Sequence, residues 1–189
     1  LEFIETWSMG NFENNEWISD GTNWKVNGLA GNPAPSVEFT WDPIQNNYAV
    51  ALESYPLCAV GITEGDIWLD FDLALYIVQP TGEEILLAQV WNWETRIWTT
   101  VTEFSNIDGN FDWTAEHVGI GSQAMDKVFK IRFLAAGVNS INIISWFVDN
   151  IHVYRTCAGP TELTAEPAFG EGILLSWQLS ENNELTDLS

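Results

Sequence analysis

Trp146-Phe147-Val148-Asp149-Asn150-Ile151-His152-Val153-Tyr154 is the clearest strand in the sequence, and the chain is read outward from it. Under strict two-residue alternation, Phe147, Asp149, Ile151 and Val153 fall on one face. An aspartate then stands in a row of apolar residues. A bare carboxylate there is costly to desolvate, so it must neutralise, find a cation, or sit at a rim open to water. The expectation taken forward is a bound cation, with a hydrogen-bonded strand-end aspartate as the alternative.

Short alternating segments of the same kind recur through the chain, divided by Gly, Asn, Asp and Pro, while long helical periodicity is hard to find. Ile67, Leu69, Phe71, Leu73, Leu75 and Ile77 form the longest alternation, which predicts a central strand. After the turn Pro80-Thr81-Gly82-Glu83, the segment Glu84 to Trp93 is expected to fold back antiparallel on it, with Leu86, Ala88 and Val90 inward or the opposite set. Phe129, Ile131 and Phe133 alternate with Lys130 and Arg132, and Val37, Phe39 and Trp41 with Ser36, Glu38 and Thr40. Further strands are expected around Trp24 to Val26, Tyr48 to Leu52 and Trp113 to Val118. About ten such strands without helices make an antiparallel β-sandwich the natural way to bury these faces.

A chain of 189 residues accommodates one full-sized domain and a remainder. Its net charge of -21, from 27 Asp+Glu against 6 Lys+Arg, repels a phosphate backbone, so nucleic acid is not an expected partner. Membrane insertion is not expected either, because no run of about 18 apolar residues occurs. The 46% hydrophobic and 13% aromatic content belongs to a chain that folds. Eleven tryptophans serve as core or as flat binding surface, and composition does not separate the two uses. Cys58 and Cys157 allow one disulfide at most and no four-thiolate zinc site. The opening Leu1-Glu2-Phe3 suggests a mature or excised fragment and is compatible with secretion. At Thr156 the composition shifts: from Ala158 to Ser189 there are six acidic residues and no basic ones. The expected division is a sandwich module at 1–156 and, at 157–189, a linker with two strands that is either an incomplete second domain or packs on the first.

Several patterns bear on chemistry. Asn106, Asp108, Asn110 and Asp112 place oxygen side chains at alternate positions around Gly109, but the glycine and the missing bidentate glutamate depart from an EF-hand, so an ordinary turn is preferred. Gly119-Ile120-Gly121-Ser122-Gln123-Ala124 fits a dinucleotide fingerprint by letters alone; it is expected to open no helix, and no βαβ unit surrounds it. His117 and His152 are isolated and read as strand-surface residues. No nucleophile-elbow pattern occurs, and the expectation is a chain that is not an enzyme, although a glycosidase carboxylate pair is recognised only in space. Trp91 and Trp93 share one side of their strand beside a tip carrying Glu94 and Arg96. Indoles stack on the apolar faces of sugar rings, and the tip's polar groups suit hydroxyls, so these four residues form the candidate ligand platform. The alternative is that this side faces the core.

Glu5-Thr6-Trp7 with Trp17 and Trp24 behind it, Tyr48 to Ser54, Ile67 to Phe71, Trp98-Thr99-Thr100-Val101, Lys130-Ile131-Arg132-Phe133 and Trp146 to Ile151 follow one another in a moderately specific order. The layout over about residues 3 to 155 resembles secreted bacterial jelly-roll modules related to MAM domains, of the cleaved-adhesin and choice-of-anchor J type. Pro160, Leu163, Ala165, Leu175 and Trp177 resemble the first two strands of a fibronectin type III domain. The resemblance implies an all-β fold, an antiparallel β-sandwich of jelly-roll type with a two-strand C-terminal extension. It also implies a structural calcium between the opening and closing strands, with Glu5 and Asp149 as ligands, and gives Trp98 a structural role. The functional expectation is a secreted or cell-surface, non-catalytic module of a multidomain bacterial protein. Its partners would be a glycan or another surface ligand and the neighbouring domains of the same polypeptide. The alternative is a structural spacer or self-assembling subunit whose tail strands complete a neighbour's sheet.

Overall fold

Period-two burial, far more than any turn, sets the layers of this molecule. The computed structural model describes residues 1–157, 161–168 and 172–178. In the first half of the chain lie β1 (Glu2–Glu5), β2 (Ile18–Ser19), β3 (Trp24–Asn27), β4 (Ser36–Thr40), β5 (Asn46–Glu53), β6 (Leu57–Cys58) and β7 (Asp66–Ile77). There follow β8 (Glu84–Asn92), β9 (Trp98–Ser105), β10 (Phe111–Gly119), β11 (Val128–Asn139) and β12 (Ile143–Thr156), then β13 (Thr161–Ala168) and β14 (Gly172–Gln178). The first sheet runs β10-β7-β12-β4-β3, with β1 also on β12; the second runs β2-β5-β11-β8-β9, with β6 also on β11. All pairings are antiparallel, and β13 and β14 pair with each other. The molecule is a jelly-roll β-sandwich with a two-strand extra sheet.

Ile67, Leu69, Phe71, Leu73 and Leu75 are buried along β7, which lies between β10 and β12 as its alternation predicts. They meet the inner residues of the second sheet, where the Phe133 ring stands edge-on to Phe71 at 5.1 Å. Trp24 and Tyr48 flank Phe39 at 5.4 and 5.6 Å. Trp7, Trp17, Trp24 and Trp146 are core among the described residues, whereas Trp41 lies past the end of β4 and is exposed, not part of its buried row.

Two expectations about strand relations are overturned. Leu86, Ala88 and Val90 do point inward, but β8 does not fold back on β7. Both edges of β7 are occupied by β10 and β12, so the chain crosses to the other sheet and pairs with β11 and β9. Asn106 holds the crossing: its Oδ1 accepts from Gly82 N at 2.8 Å and its Nδ2 donates to Gln79 O at 3.0 Å. The Asn106–Asp112 stretch is thus a structural turn, with Asn110 accepting from Ile77 N and Asp112 from the Tyr76 hydroxyl.

The second correction concerns β12 itself. Asn150 takes a φ of 48°, and the register against β7 shifts between Asp149 and His152. An extra residue of this kind exchanges the two faces of a strand. Trp146 and Val148 therefore share the core with Ile151 and Val153, while Phe147 packs outside against Tyr76 and Trp113 at 6.0 and 6.1 Å. Asp149 belongs to the outer face and does not share a row with Ile151 and Val153.

One helical turn, Gly121–Ala124, follows β10, where the glycine pattern was expected to open none. It joins strands of different sheets, which leaves the dinucleotide reading without a βαβ unit. Cys58 and Cys157 are exposed and unbridged.

Glu84 ties down one end of the second sheet. Fully buried, it accepts from the Tyr48 hydroxyl at 2.6 Å, Asn139 N at 2.9 Å and Asn142 Nδ2 at 3.0 Å. Burial pushes the Tyr48 hydroxyl well above its ordinary pKa, with Glu84 beside it adding to the effect. Gly137 makes room for this carboxylate, since a Cβ there would fall 1.8 Å from Glu84 Oε2 and 2.8 Å from the Glu83 carbonyl. Gly137→Ala is expected to expel the carboxylate and cost about 2–4 kcal/mol in urea unfolding. Gly28→Ala, with nothing within 4 Å of the added carbon, is expected to cost less than about 1 kcal/mol.

Candidate aromatic and cationic face of the second sheet

With Leu86, Ala88 and Val90 inward, β8 turns Leu87, Gln89 and Trp91 outward, and β11 likewise turns Lys130 and Arg132 outward. Register aligns them into rows. Trp98, Trp91 and Lys130 are partners across β9, β8 and β11, and Thr100, Gln89, Arg132 and Glu53 form the next row, which reaches β5. The face is built from the centre of the sheet, where strand pairing fixes each Cβ.

Within the second row, Arg132 Nε donates to Gln89 Oε1 at 2.7 Å, and Gln89 Nε2 donates to Thr100 Oγ1 at 2.9 Å. The Arg132 guanidinium lies 4.1 Å from the centre of the Trp98 ring. Partial burial lowers the Arg132 pKa and Glu53 opposes that shift, so the group remains a cation. Glu53 approaches Lys130 at 3.7 Å and Arg132 at 3.5 Å, distances of ion pairing and not of tight hydrogen bonds.

Beyond the strand end, Asn92 organises the tip. Its Oδ1 accepts from Thr95 N at 2.9 Å and Thr95 Oγ1 at 3.0 Å, and its carbonyl accepts from Arg96 N at 3.0 Å. Trp93 is 59% exposed and meets Trp91 at 5.6 Å with the rings at 88°. The two indoles thus form a corner, against which one sugar ring can stack while abutting the other. Arg96 lies 5.8 Å from the Trp93 ring centre and Lys130 5.9 Å from that of Trp91.

Of the expected platform, Trp91, Trp93 and Arg96 come together on this outward face. Glu94 is exposed and turns to Lys127 at 3.9 Å. Sequence reasoning did not assign Gln89, Thr100, Arg132 or Glu53 to the site. The outward alternation of Lys130 and Arg132 was visible, but the pairing of β11 with β8 was needed to place it beside Trp91.

The two expected calcium ligands lie on neighbouring strands, with Glu5 opposite Ile151. Glu5 is turned inward: it accepts from Trp7 N at 2.6 Å, Asn15 Nδ2 at 2.7 Å and Trp17 Nε1 at 3.1 Å. Asp149 is turned outward beneath the loop at Asn32, accepting from Asn32 N at 2.7 Å and Asn150 N at 2.8 Å. Burial pushes the Asp149 carboxyl up, those two N–H groups pull it down, and the charges of Asp72 and Glu5 push it up again. Among the described residues, no group of three or more His, Cys, Asp or Glu side chains surrounds a common point. A cation here would draw on the two carboxylates and on neutral oxygens. Such hard-oxygen donors suit calcium, but Glu5 faces the core and Asp149 the outer side, each held by its own N–H donors, so one ion reaches both only if a carboxylate turns.

On the outer face of the first sheet, His117 lies 2.6 Å from Asp70 and stacks on Trp68 at 3.9 Å, while His152 stacks on Tyr154 at 4.4 Å. Both histidines are strand-face residues.

No protein-family model matches the sequence, and no curated protein matches it at a significant level. Solved structures do match its fold. The K1 cleaved adhesin domain of Lys-gingipain from Porphyromonas gingivalis W83 is 14% identical, with a TM-score of 0.61, 82% of this chain and 99% of that chain being covered. The CBM22-2 xylan-binding domain from Paenibacillus barcinonensis Xyn10C is 16% identical at a TM-score of 0.52, over 82% of this chain and 99% of that one. The mannan-recognising carbohydrate-binding module TmCBM27 is 12% identical at 0.51, over 82% and 96%.

Proposed function

We propose that this chain is a non-catalytic carbohydrate-binding module of a secreted or cell-surface bacterial protein, with its saccharide on the outer face of the second sheet. The observation that carries this reading is the exposed Trp93 indole, cornered by Trp91 beside the hydrogen-bonding row Thr100, Gln89, Arg132 and Glu53. Apolar sugar faces take the indoles and hydroxyls take the row, so one surface provides both kinds of contact that a saccharide needs. Its likeness in fold to modules described as binding xylan and mannan supports the same reading. Two rings and a few hydrogen bonds support an affinity roughly between millimolar and micromolar. The module would cover 1–156, with 157–189 leading to neighbouring domains of the same polypeptide.

A glycan array with the purified chain tests this. Binding is expected, and Trp93→Ala is expected to abolish it while changing stability by no more than about 1 kcal/mol, because the side chain is exposed. Silence across the array from a folded chain would favour a structural spacer or self-assembling subunit. A size-exclusion mass that rises with concentration would then support self-assembly.

A calcium ion held by Glu5 and Asp149, for which one of the two carboxylates would give up its N–H donors and turn toward the other, is the second part of the proposal. At a concentration about a hundred times its Kd, a ligand that binds only the native state stabilises by about 2.7 kcal/mol. Chelation is accordingly expected to lower Tm by roughly 5–10 °C for a chain of this size. Asp149→Asn should remove that sensitivity. An unchanged Tm after chelation would mean that the five N–H donors around the two carboxylates suffice without a metal.

A further inference from the structure

The saccharide reading leaves unexplained where this chain keeps its positive charge. The sequence holds 6 Lys+Arg against 27 Asp+Glu. Arg96, Lys130 and Arg132 lie along the candidate face, and Lys127 joins them immediately before β11. Most of the chain's cations are thus gathered at one end of one sheet. Solubility alone would scatter them.

Their partners neutralise them only in part; besides the ion-paired carboxylates, Asp20 lies near enough to Arg132 to favour its charged form. Glu53 is shared between Lys130 and Arg132, and Glu94 reaches Lys127, each at 3.5 to 3.9 Å. Such long ion pairs exchange readily for a better-placed carboxylate. Arg96 has no carboxylate within ion-pairing distance among the described residues. Arg132 is pre-oriented, its Nε fixed by Gln89 and its guanidinium carbon 4.1 Å from the Trp98 ring centre, so that fewer rotamers are lost when its remaining N–H groups bind.

Resting on the saccharide reading of this face, we infer that its ligand is an anionic saccharide, a chain of uronic acid residues. The indole corner takes a sugar ring, and the cations beside it take the ring carboxylates. Charges more than about 8 Å away are screened at physiological ionic strength, so this local positive balance governs contact. The acidic remainder of the surface turns the same polymer away from every other face. A nucleic acid also offers rings and negative charge, but its dense phosphates would meet that acidic surface on either side of the patch.

Titration calorimetry of the full chain with hexagalacturonate, hexamannuronate, the methyl ester of hexagalacturonate and neutral xylohexaose separates these elements. At least one uronate is expected to bind about tenfold or more tightly than the ester and xylohexaose, the worth of a charge-assisted contact. Lys130→Gln and Arg96→Gln should each bring the acid-to-ester ratio toward one, and Lys130→Arg should retain it. Ester or xylohexaose binding as tightly as the uronates would overturn the inference while leaving the saccharide reading intact. No heat from any of the four, with a native far-UV spectrum, would overturn the inference, and silence of the same chain across the glycan array would overturn the saccharide reading as well. A thymidine decamer binding as tightly as the uronates would overturn the saccharide class.

Discussion

The carboxylate of Asp149 accepts one backbone N–H from Asn150, beside it in the strand, and another from Asn32, in the loop above it. These two bonds fix the bulge at which β12 exchanges its faces. The exchange comes where the strand changes partners: β4 pairs with residues Ser145 to Val148, and β1 with Ile151 to Tyr154. One strand can therefore hold β7 along its length and two different neighbours on its other edge. Without the bulge, one half of β12 would turn Ile151 and Val153 to solvent, and the first sheet would lose either its opening strand or its β4 edge. The arrangement costs desolvation of Asp149, seen in its raised pKa.

The second sheet keeps one register along its central strand, and its register shift lies on the β8–β9 edge, between Ala88 and Gln89. Its central strand β11 pairs with β5, β6 and β8, and strict alternation keeps Phe129, Ile131 and Phe133 inside and Lys130 and Arg132 outside. Glu84 and Gly137 fix one end, and the Asn92 turn fixes the other. The part of the face that stands on these strands, Gln89, Trp91, Lys130 and Arg132, is preorganised by pairing, while Trp93 and Arg96 are held by the Asn92 turn.

What the sequence made legible was local. The alternation of β7, β8 and β11 needs only neighbouring residues to be recognised, as does the shared side of Trp91 and Trp93. What it concealed was set across long separations. The bulge at Asn150 depends on Asn32, 117 residues from Asp149, and an extra residue leaves no mark in a pattern of apolar letters. The crossing of β8 to the second sheet depends on which strands had already claimed the edges of β7. Arg132 reads as an ordinary outward residue until β8 and β9 bring Gln89 and Trp98 against it. Glu5 and Asp149 were read as one ligand pair, and register does place their strands side by side, but each carries its own set of N–H donors.

The outer face of the first sheet also carries aromatics and carboxylates, and hydrogen-bond satisfaction decides between the two faces. Asp70 is taken by His117 at 2.6 Å and Tyr154 at 3.1 Å, and Asp72 by Asn32 and Asn150 at 3.0 and 2.8 Å. A ligand there would have to break short internal bonds to form its own, a near-even exchange that yields little net affinity. On the second sheet, Gln89 is taken by Arg132 and Thr100 at 2.7 and 2.9 Å, but the ion pairs are long and the Trp93 indole is largely uncovered, so new contacts there replace water and weak pairs. Polar groups that are already paired hold a fold together, whereas oriented groups with donors to spare are available to a ligand. By that criterion the face of Trp91, Trp93, Lys130 and Arg132 is the better candidate for the proposed binding surface, and the face of Asp70 and Asp72 belongs to the framework.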